Sequence, residues 1–295
     1  MTIGTALRLL AVMVLWASCF PLITIGLDLA PHMSLAALRA ALAGLCLIAL
    51  GALCGRPVPV SGRSWILIVL VGLGSTSLGF LGMFHAAEFV SPGLATVIAN
   101  VQPIIAAVLA NVFLGERLKA IGKIGLAVGL AGIAVVAGPG LAADHVQGYS
   151  LGIVYVVLAA TGVSVGNIAI KRLAGQVDPI MAMGFQLLVG AAPLALLSML
   201  TEDNSLLVWS TEFVLVLVTL SVVGSSLPFW LWFKALERVS LNRANAFTFL
   251  VPIFGLMIGA AVFGERLEAV QFVGVVLVIT GIILVQRSAR TAARL

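Results

Sequence analysis

Charged side chains are scarce in this chain of 295 residues, since Asp, Glu, Lys and Arg together make up 9% of it. A soluble globular domain carries about 25% charged residues, which cover its surface. Here 62% of the residues are hydrophobic, and the mean hydropathy is +1.22. The composition therefore excludes a soluble domain and indicates a protein whose surface faces lipid.

Cysteines and clustered basic residues are scarce as well. The cysteines are Cys19, Cys46 and Cys54, an odd number without a CxxC pair, so we predict neither a disulfide framework nor a metal site. The net charge of +5 is spread over short connectors, without a Lys/Arg run or zinc-finger spacing. We therefore predict no nucleic-acid partner and no cofactor. The expected partners are the lipid bilayer and a small-molecule substrate, and the oligomeric state is left open.

Long apolar runs are what the sequence has in abundance. A helix needs about 20 predominantly apolar residues to span a bilayer, and ten such windows can be marked. They run near 6–26, 33–54, 65–86, 93–114, 120–138, 149–170, 180–200, 212–233, 241–263 and 268–286. The runs are too long for strands and lack period-two alternation. We predict an all-α integral membrane protein with ten transmembrane helices.

Lys and Arg are distributed unevenly between alternate connectors. If the N-terminus is cytoplasmic, fourteen basic residues fall on the cytoplasmic side and Arg266 alone falls outside. The fourteen are Arg8, Arg56, Arg63, Arg117, Lys119, Lys123, Lys171, Arg172, Lys234, Arg238, Arg243, Arg287, Arg290 and Arg294. Cytoplasmic loops are enriched in Lys and Arg. We therefore predict a multi-pass membrane protein with both termini cytoplasmic.

An internal repeat relates the two parts of the chain. The segment 103–118 matches the segment 252–267 at an offset of 149 residues, and both end in Gly-Glu-Arg-Leu. Each part holds five windows, an odd number, so the second part must enter the membrane in the opposite orientation. Inverted repeats are the architecture of many secondary transporters. We predict two inverted five-helix repeats, residues 1–140 and 141–295, in one membrane domain.

The repeated motif carries a resemblance. A mid-helix proline, a run of small residues and Gly-Glu-Arg-Leu, present twice, resemble the drug/metabolite transporter superfamily, and within it the EamA-type exporters. The resemblance covers the whole chain and implies a secondary transporter that exports small metabolites by alternating access. Amino acids are the implied substrates, with the aromatic amino-acid exporters as the preferred comparison. The alternatives are a passive channel for small solutes and a multidrug or other-metabolite carrier of the same superfamily.

An enzyme is not expected. Residues 162–166 match the nucleophile-elbow pattern G-x-S-x-G, but that motif needs a strand, a turn and a helix. This segment falls inside a predicted spanning helix, and the histidines all precede Ser164, opposite to the hydrolase order. We interpret its glycines as helix-packing residues.

Polar and aromatic side chains inside the windows indicate a substrate cavity between the halves, because polar groups in lipid are costly. We expect it to be walled by spans one, three, four, six, eight and nine. Its predicted lining residues are Trp16, Phe20, Phe84, His85, Asn100, Asn167, Trp230 and Asn245. The alternatives are interhelical hydrogen bonds for the polar residues and packing for the aromatic ones. Pro103 and Pro252 are predicted flexure points, or else static bends.

Charged residues inside or beside the windows lead to further expectations. The motifs at 115–118 and 264–267 are predicted to end helices, with Glu and Arg paired locally. Arg39 either extends to the outer surface or offers a cation to a substrate carboxylate. Acidic residues fall in connectors or at span ends, so we hypothesise no proton coupling through a buried carboxylate.

The fifth and tenth spans are predicted to be scaffold outside the cavity. The fifth span has no polar side chain beyond Lys123 at its end. The pairs Gly125-xxx-Gly129 and Gly255-xxx-Gly259 have the spacing of helix-packing faces.

Overall fold

The computed structural model describes residues 1–86, 99–141, 149–263 and 269–292, and the regular elements among them are helical. The α-helices are α1 (Ile3–Leu27), α2 (His32–Leu53), α3 (Gly62–Val71), α4 (Gly79–Ala86), α5 (Gln102–Leu114), α6 (Ala120–Leu141), α7 (Tyr149–Leu173), α8 (Pro179–Thr201), α9 (Thr211–Ser221), α10 (Leu227–Leu236), α11 (Leu241–Asn245), α12 (Leu250–Phe263) and α13 (Ala269–Ala292). Two π-helical segments join helices: Gly72–Leu78 joins α3 to α4, and Val222–Ser226 joins α9 to α10. Short 3-10 turns are formed by Asn204–Leu206 and Ala246–Phe249.

Seven helical stretches among the described residues are long and apolar enough to cross a membrane. They are Ile3–Leu27, His32–Leu53, Gly62–His85, Ser150–Leu173, Pro179–Thr201, Thr211–Leu236 and Ala269–Ser288. Gln102–Leu114 and Ala120–Val135 are shorter apolar helices, and the fourth window begins in residues outside the described part. The prediction of an all-α membrane protein is confirmed. The count of ten spans and their inverted layout stay predictions.

The ninth window, 241–263, is not one continuous helix. α11 ends at Asn245, a 3-10 turn follows, and α12 begins at Leu250. Pro252 thus lies in the first turn of α12, and Pro103 lies in the first turn of α5. The N–H groups of a first helical turn have no acceptor within the helix, so a proline at that place costs no hydrogen bond. The sequence predicts prolines within kinked helices, whereas in the structure each proline begins a new helical segment.

Glycines bring two pairs of helices into close contact. α2 packs on α8, and α6 packs mainly on α13. A Cβ atom added at Gly125 of α6 would lie 2.8 Å from the carbonyl oxygen of Gly281 in α13. A Cβ atom at Gly44 of α2 would lie 2.8 Å from the carbonyl oxygen of Gly184 in α8. Both interfaces therefore depend on residues without a side chain.

The predicted packing role of Gly255 is wrong. A Cβ atom built on Gly255 of α12 meets no atom within 4 Å among the described residues, so this glycine faces open space. The environment of Gly259 lies outside the described part of the chain. Spacing alone identified the correct glycine pair in α6 and an incorrect contact in α12.

These two glycines make a matched test of the α6–α13 contact. We expect Gly125→Val to destabilise the protein by about 1–3 kcal/mol, because overpacking has this effect. We expect Gly255→Val to stay within about 0.5 kcal/mol, as substitutions in open space do. Thermal unfolding of the purified variants in detergent measures both, and equal melting temperatures would contradict the contact.

The glycines of the G-x-S-x-G segment also pack between helices. Residues 162–166 lie inside α7, and a Cβ atom at Gly162 would lie 2.6 Å from the carbonyl oxygen of Gly74 in the first π segment. The Ser164 hydroxyl donates to the carbonyl of Ala160 at 2.7 Å. The segment therefore lacks the strand-turn-helix geometry of a nucleophile elbow, as the sequence predicts.

The described residues form three apolar clusters, and two of them lie around the buried polar groups. One draws residues from α1, α7, α10 and α11 and includes Trp232, and the other draws residues from α1, α2, α8 and α9 and includes Cys19. Phe80 of α4 packs against both clusters. The polar groups described next lie within and between them.

Candidate functional site

Three buried polar side chains from three helices form a hydrogen-bonded chain, here called the Trp–Asn chain. Trp232 of α10 donates from Nε1 to Asn167 Oδ1 of α7 at 2.9 Å. Asn167 Nδ2 donates to Asn245 Oδ1 of α11 at 3.4 Å. None of the three residues is more than 5% exposed. Because buried polar groups need partners, the chain ties α7, α10 and α11 together at one point.

Trp16 of α1 adds an aromatic wall to this chain. Its ring centroid lies 5.5 Å from that of Trp232 and 6.3 Å from that of Phe229. Both distances are typical of favourable aromatic pairs. The structure thus brings together three of the predicted lining residues, Trp16, Asn167 and Asn245.

Two amide donors beside the broken helices are unused. Asn245 Nδ2 and Gln102 Nε2 are buried and have no hydrogen-bond partner among the described residues. Gln102 precedes Pro103 at the start of α5, and Asn100 is buried in the turn before it. An unsatisfied buried donor costs about 1–3 kcal/mol, so these groups are suited to bind a polar solute. Gln102 is absent from the predicted lining set, although its place beside a mid-span proline was an available signal.

Other predicted lining residues lie away from the Trp–Asn chain. Trp230 is half-buried and only two residues from Trp232, so helical geometry turns it to a different face of α10. Phe84 is buried in the second apolar cluster, and its ring centroid lies 6.3 Å from that of Phe80. The side chain of Phe20 lies outside the described part of the structure.

Arg39 is buried inside the bundle, with 5% of its surface exposed. Its Nε donates to Ser225 Oγ at 2.8 Å, and its Nη2 donates to the carbonyl of Gly224 at 3.0 Å. Nη2 also lies 3.6 Å from Cys19 Sγ, and the guanidinium stands 5.0 Å from the centroid of the Phe80 ring. The side chain therefore points inward, and the alternative of extension to the outer surface is wrong.

The π-helical segment Val222–Ser226 provides the acceptors for Arg39. A π turn interrupts the regular helical ladder and is frequent at functional sites. The other π segment, Gly72–Leu78, faces an amide instead of a cation: Thr76 Oγ1 donates to Gln186 Oε1 of α8 at 2.9 Å. Each π segment therefore meets one long polar side chain from a neighbouring helix.

Glu116, which follows α5, binds the start of α11. Its Oε1 accepts the N–H of Leu241 at 2.8 Å, and its Oε2 accepts the N–H of Asn242 at 3.1 Å. A carboxylate at a helix N-terminus satisfies free N–H groups and the helix dipole. We call these three residues the Glu116 latch.

The Glu116 latch changes one prediction and supports another. The sequence predicts a local pair of Glu116 with Arg117, but the carboxylate instead joins segments 125 residues apart. Gly115 does end α5, with a left-handed φ of +68° that glycine adopts without strain. The second copy of this motif, at 264–267, lies outside the described residues.

Glu202, which follows α8, binds the start of α2 in the same way. Its Oε1 accepts the N–H of Met33 at 2.7 Å, and its Oε2 accepts the N–H of Ser34 at 2.9 Å. We call these three residues the Glu202 latch. His32 Nδ1 lies 3.4 Å from Glu202 Oε1, and His32 Nε2 lies 3.0 Å from Nδ1 of His85. His85, a predicted lining residue, is therefore part of this end of the bundle.

The two latches lie at opposite ends of the bundle. Near the start of α7, the ring of Tyr155 is 5.2 Å from that of His85, which belongs to the Glu202 end. Near the end of α7, Lys171 Nζ donates to the carbonyls of Leu236 and Val239, just before α11. α7 thus runs from one latch to the other, and Asn167 lies between them.

Membrane-length helices that enclose buried amides and a guanidinium, beside helices broken within the apolar layer, are the features of a membrane transport protein. The chain belongs to the EamA-like transporter family, whose sequence model matches residues 4–138 and 150–287. This match confirms the resemblance seen in the repeated motif. It also confirms that the protein is a transporter and not an enzyme.

Individual relatives are similar to the chain over most of its length. It is 32% identical over 259 residues to a WAT1-related chloroplastic protein of Arabidopsis thaliana. That alignment covers 85% of this chain and 61% of the plant protein. It is 29% identical over 283 residues to a probable amino-acid metabolite efflux pump of Escherichia coli strain K12. That alignment covers 92% of this chain and 91% of the pump. It is 24% identical over 279 residues to the uncharacterized inner membrane transporter YedA of that strain. That alignment covers 94% of this chain and 89% of YedA. A solved crystal structure covers 99% of both chains with a TM-score of 0.81 and 22% identity, which shows the fold alone.

Proposed function

We propose that this protein is a secondary transporter that exports small metabolites, in particular amino acids, by alternating access. The observation that carries the proposal is the pair of carboxylate latches at opposite ends, with the Trp–Asn chain between them. Each latch consists of a few hydrogen bonds, from two backbone N–H groups and one side chain, so it can open without unfolding a helix. A carrier that exposes its site to one side at a time needs a closure at each end.

Ten spans in two inverted repeats, residues 1–140 and 141–295, are part of this proposal. The family model matches the chain twice, which supports two related halves. The π segment Gly72–Leu78, moved by the offset of 149 residues, becomes 221–227 and contains Val222–Ser226. Helix contacts recur as well, because α1 packs on α10 and α12 as α7 packs on α4 and α5.

The proposed location is a bacterial inner membrane with both termini in the cytoplasm. The inner membrane is supported by the name of the Escherichia coli relative YedA. The orientation rests on the Lys and Arg bias, and it makes the Glu116 latch the cytoplasmic closure. The Glu202 latch would then close the outer side.

The proposed substrate site is the space around the Trp–Asn chain. Its lining comprises Trp16, Asn100, Asn167 and Asn245 from the sequence prediction, joined by Gln102 and Trp232. Pro103 and Pro252 begin the half-helices beside it and remain the proposed flexure points. Phe20, Phe84, His85 and Trp230 stay predicted lining residues. Amino acids as substrates are supported by the name of the Escherichia coli efflux pump.

Substrate counterflow in proteoliposomes tests the proposal. We expect vesicles preloaded with an unlabelled amino acid to accumulate the labelled one transiently, because a carrier exchanges solute through a single alternating site. A panel of amino acids and other small amphiphiles would identify the substrate. Vesicles without protein are the control. Uptake that saturates without any overshoot, or that never saturates, would instead indicate the passive channel.

A further inference from the structure

Arg39 is the feature of the interior that the transport cycle above leaves unexplained. The acceptors around its guanidinium are an alcohol, a backbone carbonyl and a thiol, all of them neutral. Within the described residues no carboxylate forms an ion pair with it, since the described pairs belong to His32, Arg56 and Lys234. Its Nη1 takes part in no hydrogen bond with the described residues. A buried cation without a counter-charge in a membrane segment is costly and marks a functional site.

A charge is not needed to hold a helix against a π segment. Gln186 of α8 faces the π segment Gly72–Leu78 and accepts a hydrogen bond from Thr76. It fulfils with a neutral amide the packing role that Arg39 fulfils against Val222–Ser226. Besides these acceptors the guanidinium meets only the neutral ring of Phe80 among the described residues, so its positive charge can still accept an anionic partner.

Aromatic side chains lie one helical turn from the Arg39 contacts. Cys19 follows Trp16 by three residues on α1, so these two side chains share a helix face. Ser225, in the π segment, precedes Phe229 of α10 by four residues along the chain. Trp16 and Phe229 are themselves in ring contact. The cation and the aromatic wall of the Trp–Asn chain are thus adjacent along the bundle.

We propose that Arg39 binds the carboxylate of the transported solute, and that the apolar or aromatic part of that solute lies against Trp16, Phe229 and Trp232. This inference rests on the proposed transport function and narrows its substrate class to carboxylates with an apolar body. Arginine suits the role because its planar guanidinium donates several hydrogen bonds to a carboxylate. The amides of the Trp–Asn chain remain available for further polar groups of the solute.

Three probes that share one ring system separate the groups recognised. Phenylalanine carries a carboxylate and an ammonium, 3-phenylpropionate carries the carboxylate alone, and phenethylamine carries the ammonium alone. Binding is measured by quenching of tryptophan fluorescence in detergent, and transport is measured by counterflow in proteoliposomes. Binding thereby gives a readout that does not depend on a transport cycle.

The decisive variant is Arg39→Gln, which gives the position the same side chain as Gln186. We expect its affinity for 3-phenylpropionate and phenylalanine to fall by about tenfold or more, since charge-assisted hydrogen bonds are lost. Its affinity for phenethylamine should not fall, and Arg39→Lys should be intermediate. Arg172→Gln is the matched control, because the exposed Arg172 also contacts a ring and a carbonyl, both of Phe113. A melting temperature close to that of the wild type verifies that Arg39→Gln is folded.

The outcomes distinguish the inference from the proposed function. Equal carboxylate affinity in the wild type and in folded Arg39→Gln overturns the inference, as does a wild-type preference for phenethylamine. A wild type that counterflows other solutes but binds no carboxylate probe also overturns it, while the proposed transport stands. Carboxylate binding that depends on Arg39 without counterflow of any solute supports the inference and contradicts the proposed function.

Discussion

Asn167→Ala is expected to reduce counterflow to about a tenth of the wild-type rate or less, because Asn167 joins two other polar groups of the site. Its amide accepts from Trp232 and donates to Asn245. Alanine would leave the buried indole N–H and the Asn245 carbonyl without partners, each at a cost of about 1–3 kcal/mol. We therefore expect both a lower melting temperature and a loss of substrate binding.

Two further variants separate the site from general stability. Asn111→Ala makes the same change at an exposed position of α5 and should leave counterflow and melting temperature near the wild type. Trp232→Phe removes the N–H donor but keeps an aromatic ring beside Trp16. It should lower transport with a smaller loss of stability than Asn167→Ala. A folded Asn167→Ala protein with wild-type counterflow would show that the Trp–Asn chain is not the substrate site.

Glu116→Gln is expected to open the bundle at one end only. The carboxylate accepts two backbone N–H groups, and an amide can accept through only one of its two atoms. Hydrogen bonds to charged groups contribute about 1.5–3 kcal/mol, so the equilibrium constant for closing this end should fall by about tenfold or more. Amide hydrogen exchange at Leu241 and Asn242 reports the latch directly, and it should accelerate in Glu116→Gln.

Glu202→Gln is the reciprocal variant and the control. It should accelerate exchange at Met33 and Ser34, whose N–H groups the Glu202 carboxylate accepts. Under alternating access, release of one latch favours closure of the other, so exchange at the opposite end should slow down. Acceleration at both ends in either variant would indicate general loosening and would count against alternating access. Unchanged exchange at Leu241 and Asn242 in Glu116→Gln would show that the Glu116 latch does not hold this end closed.

Hydropathy predicts most of the helical content of this chain, because the cost of placing a polar backbone in lipid leaves few alternatives to a helix. The predicted second window, 33–54, corresponds to α2 (His32–Leu53), and the seventh, 180–200, corresponds to α8 (Pro179–Thr201). Hydropathy does not reveal the break before Pro252. A 3-10 turn and an α-helix can bury the same apolar residues. The mean hydropathy of the window is therefore the same although the backbone geometry differs.

The direction in which a side chain points was harder to predict. A membrane helix contacts apolar surroundings on the lipid side and on the protein side, so its sequence shows little difference between its faces. The predicted lining contains Trp230 and not Trp232. The π turn at Val222–Ser226 precedes both residues and changes the register of α10 relative to α9. Polar residues were better guides, because Asn167 and Asn245 can lower their energy only by finding each other or another partner.

The partners of charged residues depend on contacts between distant parts of the chain. The sequence shows Glu116 next to Arg117, but the free N–H groups at the start of α11 exist only once that helix has formed nearby. The acceptors of Arg39 lie 185 and 186 residues away in a segment whose π geometry is not encoded by a recognisable motif. Tertiary structure, and not local pattern, therefore determines both the latches and the buried cation.

Both latches are formed in the same structure, although a transport cycle needs only one closed end at a time. If the two ends face opposite sides of the membrane, as proposed, an idle protein with both latches formed would offer no continuous water path between them. A cell could then hold many copies without dissipating its membrane potential. Two carboxylates, each of which accepts hydrogen bonds from a pair of backbone amides, would thus prevent ion leakage through the resting carrier.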